Sequence, residues 1–288
     1  MITASLVKEL RDKTNAGMMD CKKALTATEG DLDAAVTWLR EKGISKAAGK
    51  ADRDASEGII AARLSDGGKS GILVEVNCET DFVSRNETFV AFVDEIADTL
   101  AASQASNLED ALQVGKGDGN IDEFVKAKVI ELGENIQLRK FERFDLAGNG
   151  AIGQYIHMGG KVGVLVEIGA KEEETATKPE FQELVKDVTL HIAAAAPKGL
   201  SREDIPSDLV EAEKDVFRAQ LNNEGKPAEI IEKIIMGKIG KFFSENCLLD
   251  QAFVKDPDQK VKGLVDSTGK TVGDELEIRR FVRFGLGE

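Results

Sequence analysis

The chain has 288 residues, enough for about two domains, each with its own core. Its 38 basic residues against 52 acidic ones leave a formal charge of −14, a surface that repels phosphate backbones and argues against direct nucleic-acid binding. No basic-then-apolar leader and no membrane-length apolar run is present, and its three cysteines form no CxxC pair. The expected setting is a reducing cytoplasm.

The acidic excess is uneven. Residues 1–55 hold ten Lys/Arg and nine Asp/Glu, so the deficit falls on the remainder, and a near-neutral head on an acidic body suggests surfaces for different partners. Residues 1–44 predict three short helices. Thr3 caps the first, whose Leu6, Val7 and Leu10 face inward and which stops at Asn15-Ala16-Gly17. The second begins at Met18, turns Cys21, Ala24 and Leu25 inward, and ends at Gly30. Asp31 caps the third, where Leu32, Ala35, Val36 and Leu39 form a helical stripe. Met18 and Met19 are adjacent and cannot both point inward, so one of them is a soft contact for a partner. Residues 45–57 lack apolar periodicity and predict a polar linker.

Gly71-Ile72-Leu73-Val74-Glu75-Val76 reads as a buried strand, and Phe89, Phe92, Val93, Ile96 and Leu100 recur at helical spacing. Between them lies Asn77-Cys78-Glu79-Thr80-Asp81-Phe82-Val83-Ser84-Arg85-Asn86, a joint with an acid and a phenylalanine side by side where turn chemistry favours small polar residues. A large apolar side chain there either packs onto its own core or is offered to a partner. Cys78, like Cys21, sits in an apolar periodic segment and reads as a buried free thiol.

The body then repeats itself. Gly67-Gly68-Lys69-Ser70-Gly71-Ile72-Leu73-Val74-Glu75-Val76 recurs 92 residues later as Gly159-Gly160-Lys161-Val162-Gly163-Val164-Leu165-Val166-Glu167-Ile168, and Phe89 and Val93 map onto Phe181 and Val185. Gly133-Glu134-Asn135-Ile136 recurs 140 residues later as Gly273-Asp274-Glu275-Leu276. The fold expected is α+β: two duplicated subdomains with antiparallel strands and helices over one face, the second holding about 48 additional residues. Within those, Leu209, Ala212, Val216, Ala219 and Asn223 step as a coiled-coil seam. Asn223-Glu224-Gly225-Lys226-Pro227 breaks that helix, and Ile231, Ile235, Ile239 and Phe242 form a returning stripe. A projecting helical hairpin is expected.

Chemistry-bearing groupings are missing from the sequence. His157 and His191 have no ligand-spaced partners: His191 reads as structural on an alanine-rich helix, and His157 as a surface contact at a joint. Ser267-Thr268-Gly269-Lys270-Thr271 lacks the leading glycine of a phosphate loop, with Leu264 in its place, and reads as a turn. The Gly-Gly-Lys pairs read as hairpin turns. Neither an enzyme active site nor a metal or cofactor site is expected, which leaves a binding protein.

The segment Asn77–Asn86 resembles the Thr-Asp-Phe-Val signature of the bacterial elongation factor Ts family. So do Ser5–Arg11 with Gly17–Leu25, then Gly133–Ile136, then Tyr155-Ile156-His157, in the family's order across nearly the whole chain. The resemblance implies a ubiquitin-associated-like three-helix head with linker (1–54), an N-terminal α+β core subdomain (55–146), and a C-terminal one (147–288) with an antiparallel coiled coil at about 203–245. It also implies a guanine-nucleotide exchange factor that associates with elongation factor Tu, GDP-bound and nucleotide-free. Thr80, Asp81, Phe82 and Val83 would enter the GTPase domain and dislodge Mg²⁺ and GDP. Arg11, Met18 and Met19 would hold a helix of that domain, and His157 would touch another domain. The hairpin would add contact or dimer surface, as in a dimer of heterodimers.

Some long family members continue with a helix beyond Arg283-Phe284-Gly285-Leu286-Gly287-Glu288, so contacts ascribed to that helix are not carried over. The competing reading is a non-catalytic interaction adaptor, its three-helix head binding a helix or ubiquitin-like partner and Phe82 packed in its own core.

Overall fold

Three helices open the computed structural model, which describes residues 2–14, 16–48, 50–223 and 227–288: α1 (Ala4–Thr14), α2 (Met18–Ala27) and α3 (Leu32–Ala48). Thr3 Oγ1 accepts the amide of Leu6 at 3.2 Å, and the Asp31 carboxylate accepts that of Ala34 at 2.9 Å, so both expected caps form. Val7, Leu10, Cys21, Ala24, Leu25 and Ala35 make the head core. The third helix runs to Ala48, into the stretch read as linker. Apolar periodicity is a sign of a buried face, not of helicity, and Ser45-Lys46-Ala47-Ala48 has helix-compatible residues without that periodicity. Asn15 and Gly49 lie outside the described residues, as does the Glu224-Gly225-Lys226 part of the expected helix break.

The body is α+β. Its first half runs β1 (Glu57–Leu64), β2 (Ser70–Cys78), a single turn α4 (Asp81–Ser84), α5 (Glu87–Ala101), α6 (Leu108–Gln113), a minimal hairpin β3 (Gly115–Lys116) and β4 (Gly119–Asn120), α7 (Ile121–Leu132) and β5 (Gln137–Asp145). The second half follows the same plan: β6 (Gly150–His157), β7 (Val162–Ala170), α8 (Pro179–Ala195), the inserted pair α9 (Ser207–Asn223) and α10 (Ala228–Asn246), β8 (Ala252–Phe253), β9 (Asp256–Lys260), α11 (Val261–Val272) and β10 (Leu276–Gly285). Each half builds an antiparallel three-stranded sheet, ordered β1-β2-β5 and β10-β7-β6.

The central strands are buried on both faces, which explains their continuous apolar runs. On β2, Ile72, Val74, Val76 and Cys78 face Phe89, Phe92, Ile96 and Leu100 of α5. Leu73 points the other way, to meet Leu165, Ile60, Ile152, Phe144 and Phe284 in a core shared by the two halves. Close approach there requires glycine: a Cβ on Gly163 would lie 2.5 Å from Ile60 Cγ2 and 2.7 Å from Leu73 Cδ1. The same inner faces bury Glu75 and Glu167. Glu167 accepts Arg280 Nε at 2.7 Å and the Ala147 amide at 2.8 Å. Glu75 pairs with Lys140 Nζ at 2.9 Å and accepts the Gly287 amide at 3.2 Å. Ala147 follows the first sheet yet serves the second, and Gly287 does the reverse.

Two expectations need correction. Ser267–Thr271 is not a turn but part of α11, whose buried stripe Val261, Val265, Gly269 and Val272 matches Ile121, Val125 and Val129 on α7. The run of small and polar residues disguised an amphipathic helix whose inward positions are mostly valines. The hairpin seam is also rotated by one position. Val210, Phe217 and Leu221 of α9 face Ile231, Ile235 and Ile239 of α10, whereas Leu209 and Val216 are 37% and 49% exposed. The observed stripe includes phenylalanine and buries more apolar area than the alanine-rich alternative. On α10 it is Phe243, not Phe242, that joins this core.

His191 is structural, as read. It is buried on α8, its Nδ1 accepts the Val254 amide at 3.2 Å, and its Nε2 lies 2.9 Å from the Gln251 side-chain oxygen. Burial pushes its pKa down, which the Gln251 contact only partly opposes. Cys21, Cys78 and Cys247 are buried and unbridged. Among the described residues no helix is long and apolar enough to cross a membrane.

Candidate functional site

The joint after β2 is built from its backbone outward. Thr80 has an extended N-cap conformation, and its Oγ1 accepts the Val83 amide at 3.3 Å, closing the single turn α4. Ser84, itself buried, donates to the Asp81 carbonyl at 3.1 Å. Asn86 then caps α5 by accepting the Thr88 amide at 2.8 Å. Successive residues of a helical turn point about 100° apart, so Val83 packs on the first core while Phe82 is turned away. Phe82 is 83% exposed, more than any other large apolar side chain among the described residues. Asp81 pairs with Arg85 at 3.0 Å, but both are well exposed, so the pair adds little stability.

Beneath the turn, Cys78 Sγ donates to the Thr80 carbonyl at 3.3 Å. Burial, reinforced by the Glu134 carboxylate, pushes this thiol up to about 12, so it stays protonated.

A second layer comes from the turn after α7. Gly133 ends that helix in the left-handed conformation (φ 81°). Glu134 then accepts three hydrogen bonds from the joint: the Glu79 amide at 3.0 Å, the Thr80 amide at 3.1 Å and the Thr80 hydroxyl at 2.6 Å. Glu79 replies by accepting the Asn135 amide at 2.6 Å. Buried Asn135 donates onward to the carbonyls of Ala51 and Arg53 at 3.2 and 2.7 Å, which fastens the chain leaving the head to the same cluster.

Arg11 and Met18 line a cleft of about 610 Å³ between the head and α7, together with Lys50, Arg53, Val129 and Ile130. Met18 and Met19 are 61% and 64% exposed, so neither fills the core; Cys21, Ala24 and Leu25 occupy the inward positions of α2. The structure thus brings Arg11 and Met18 to the same side of the body as Arg53, whose guanidinium pairs with Glu79 at 3.4 Å beside the joint.

His157 stands apart. It is the last residue of β6, exposed on the second sheet, stacked on Tyr155 with their Nδ1 and Oη atoms 2.9 Å apart. No hydrogen bond or ion pair among the described residues joins it to Thr80–Val83. Next to it, Met158 is 72% exposed with φ at 49°, a feature that periodicity does not reveal.

Glu134 is the residue that motif reasoning noticed without giving it work. The available signal was its recurrence: a carboxylate follows a helix-ending glycine in both halves. Asp274 likewise accepts the Glu172 amide at 3.0 Å and the Thr175 hydroxyl at 2.7 Å. The loop it holds is an acidic 3-10 turn, Glu173–Thr177, with no aromatic on it.

A family model described as Elongation factor TS matches residues 79–288. Proteins named Elongation factor Ts from Clostridium perfringens, a Nitratiruptor species and Symbiobacterium thermophilum are 47%, 46% and 47% identical to it. Each alignment covers 100% of this chain and 94%, 93% and 92% of the relative. The chain belongs to the elongation factor Ts family. It is therefore a translation elongation factor, part of protein biosynthesis.

Proposed function

We propose that this chain is a guanine-nucleotide exchange factor for elongation factor Tu. The observation that carries the reading is a phenylalanine held 83% exposed on a capped turn whose base is tied to the core and to Glu134. Burying such a ring on a partner is worth roughly 1.5–3 kcal/mol, and a chain that leaves it in water forgoes that gain until the partner arrives.

On this reading Phe82 wedges into the GTPase domain of elongation factor Tu beside its Mg²⁺ site, flanked by Thr80, Asp81 and Val83, and GDP leaves. One ring supplies about a ten- to hundredfold effect, too little alone against tightly held nucleotide. The remaining contact comes from the head, where Arg11, Met18 and Met19 grip a helix of the same domain, and from His157 on the second sheet. Residues 1–54, 55–146 and 147–288 serve as the working units, and the α9–α10 hairpin adds surface for the partner or for pairing of two such heterodimers. Coupling is reciprocal: GDP weakens binding of the exchange protein by the same ratio as the exchange protein weakens binding of GDP. The chemistry of GTP stays on the partner, so the chain itself is no enzyme and needs no cofactor, and it acts in the cytoplasm where translation runs.

The adaptor alternative needs Phe82 packed in its own core, and the exposed ring counts against it. The test is release of a fluorescent GDP from elongation factor Tu. Phe82→Ala should melt normally and slow release about tenfold, the scale of one buried ring; unchanged release with a native melting curve would return the adaptor to first place.

A further inference from the structure

The Gly133–Ile136 turn carries no assigned role in exchange, yet it sits where the exchange segment is held. We infer that Glu134 is a positioning residue for Phe82, acting through Thr80; the inference rests on the exchange reading above. Three donors of the joint converge on this one carboxylate, at 3.0, 3.1 and 2.6 Å. The shortest comes from the Thr80 hydroxyl. With its proton committed to Glu134, that hydroxyl presents a lone pair to the Val83 amide, the bond that closes the turn bearing Phe82. Charge-assisted hydrogen bonds of this kind are about twice as strong as neutral ones. The relay Glu134, Thr80, Val83 therefore fixes the direction of residue 82, while Val83 keeps the turn seated on the core.

The orientation matters because a wedge acts only along its line of entry. A ring free to swing still finds apolar contact, so affinity survives, but it spends little of that contact on displacing the metal and nucleotide. Loss of Glu134 should thus lower the maximal exchange rate more than the binding of the factor. The second half of the chain provides a control within the molecule. Asp274 makes the same kind of clamp, on a loop without an aromatic, so its loss disturbs the fold in the same way and touches no wedge.

The experiment follows fluorescent GDP release from elongation factor Tu across a concentration series of the full chain, as wild type, Glu134→Ala, Glu134→Gln, Asp274→Asn, Phe82→Ala and the Phe82→Ala/Glu134→Ala double variant. Glu134→Ala should reduce the rate at saturating factor by roughly tenfold, the scale of hydrogen bonds to a charged group, with a much smaller change in half-saturating concentration. Glu134→Gln, which keeps one acceptor oxygen and the side-chain volume, should fall between. Asp274→Asn should match wild type. The double variant should be no slower than Phe82→Ala alone, since the two residues act as a unit. Wild-type maximal release by a natively melting Glu134→Ala would overturn the inference, as would its full penalty persisting in the Phe82→Ala background. A separate readout covers failure of the exchange reading itself. Amide hydrogen exchange at residues 79–84 of the free chain should accelerate in Glu134→Ala and Glu134→Gln, and unchanged protection there would overturn the inference whatever elongation factor Tu does.

Discussion

Glu167 is a charged group that the fold has taken almost wholly out of water, at 1% exposure. Burial pushes its carboxyl upward, but the Ala147 amide and the Arg280 and Arg279 guanidinium groups outweigh this and hold it below the ordinary range. A carboxylate depressed in the folded state adds stability above its unfolded pKa, and that contribution is lost as pH falls through the folded value. The melting temperature of the wild type should therefore fall on acidification below about pH 4.5, where an unperturbed carboxylate takes up its proton. Glu167→Gln should start lower at pH 7 and fall less steeply with acid, because it has no proton to gain there. A steeper acid loss in the variant would contradict this assignment. Residue-scale features differed in how readily they could be read. Phe82 was conspicuous because it breaks a local turn rule. Glu134 and Glu167 act through neighbours 54 and 113 positions away, Thr80 and Arg280, and no local pattern encodes such a contact.

At the scale of elements, helices and strands with an inward face announced themselves, and their limits did not. The head helices, α5, α8 and the central strands have strong stripes and stand where those stripes place them. Helix α11 was missed because Ser267-Thr268-Gly269-Lys270-Thr271 looks like loop chemistry, although its equivalent in the first half is plainly helical. On α9 two apolar stripes lie side by side, and spacing alone cannot rank them; side-chain volume does. Phe217→Ala should destabilise the hairpin by about 1–2 kcal/mol, less than a fully buried large-to-small change because the ring is only partly buried, while Val216→Ser should cost well under about 1 kcal/mol at its half-exposed position. Amide exchange along α9 and α10 would read both, and equal effects would mean that the seam has been placed on the wrong face.

For the whole molecule, the duplication was legible from two fixed offsets, and burial of the central strands from their unbroken apolar runs. The sequence did not reveal that each half buries its sheet against the other. Leu73 and Leu165 could equally have met a helix, and only the two sheets crossing at Gly163 decides the matter. Gly163→Val should force Ile60 and Leu73 aside and lower global stability by about 1–3 kcal/mol, the range for overpacking. Urea unfolding should show it as a lower midpoint of one shared transition, and separate transitions for the two halves would speak against a common core.

The crossed donation of Ala147 to Glu167 and of Gly287 to Glu75 carries a mechanical consequence. Each sheet takes a hydrogen bond from backbone that follows its counterpart, so prising the halves apart would break both bonds and open the shared apolar core to water. Such a body resists bending about its middle. On the proposed reading, any load on the turn bearing Phe82 would pass from β2 into both sheets at once.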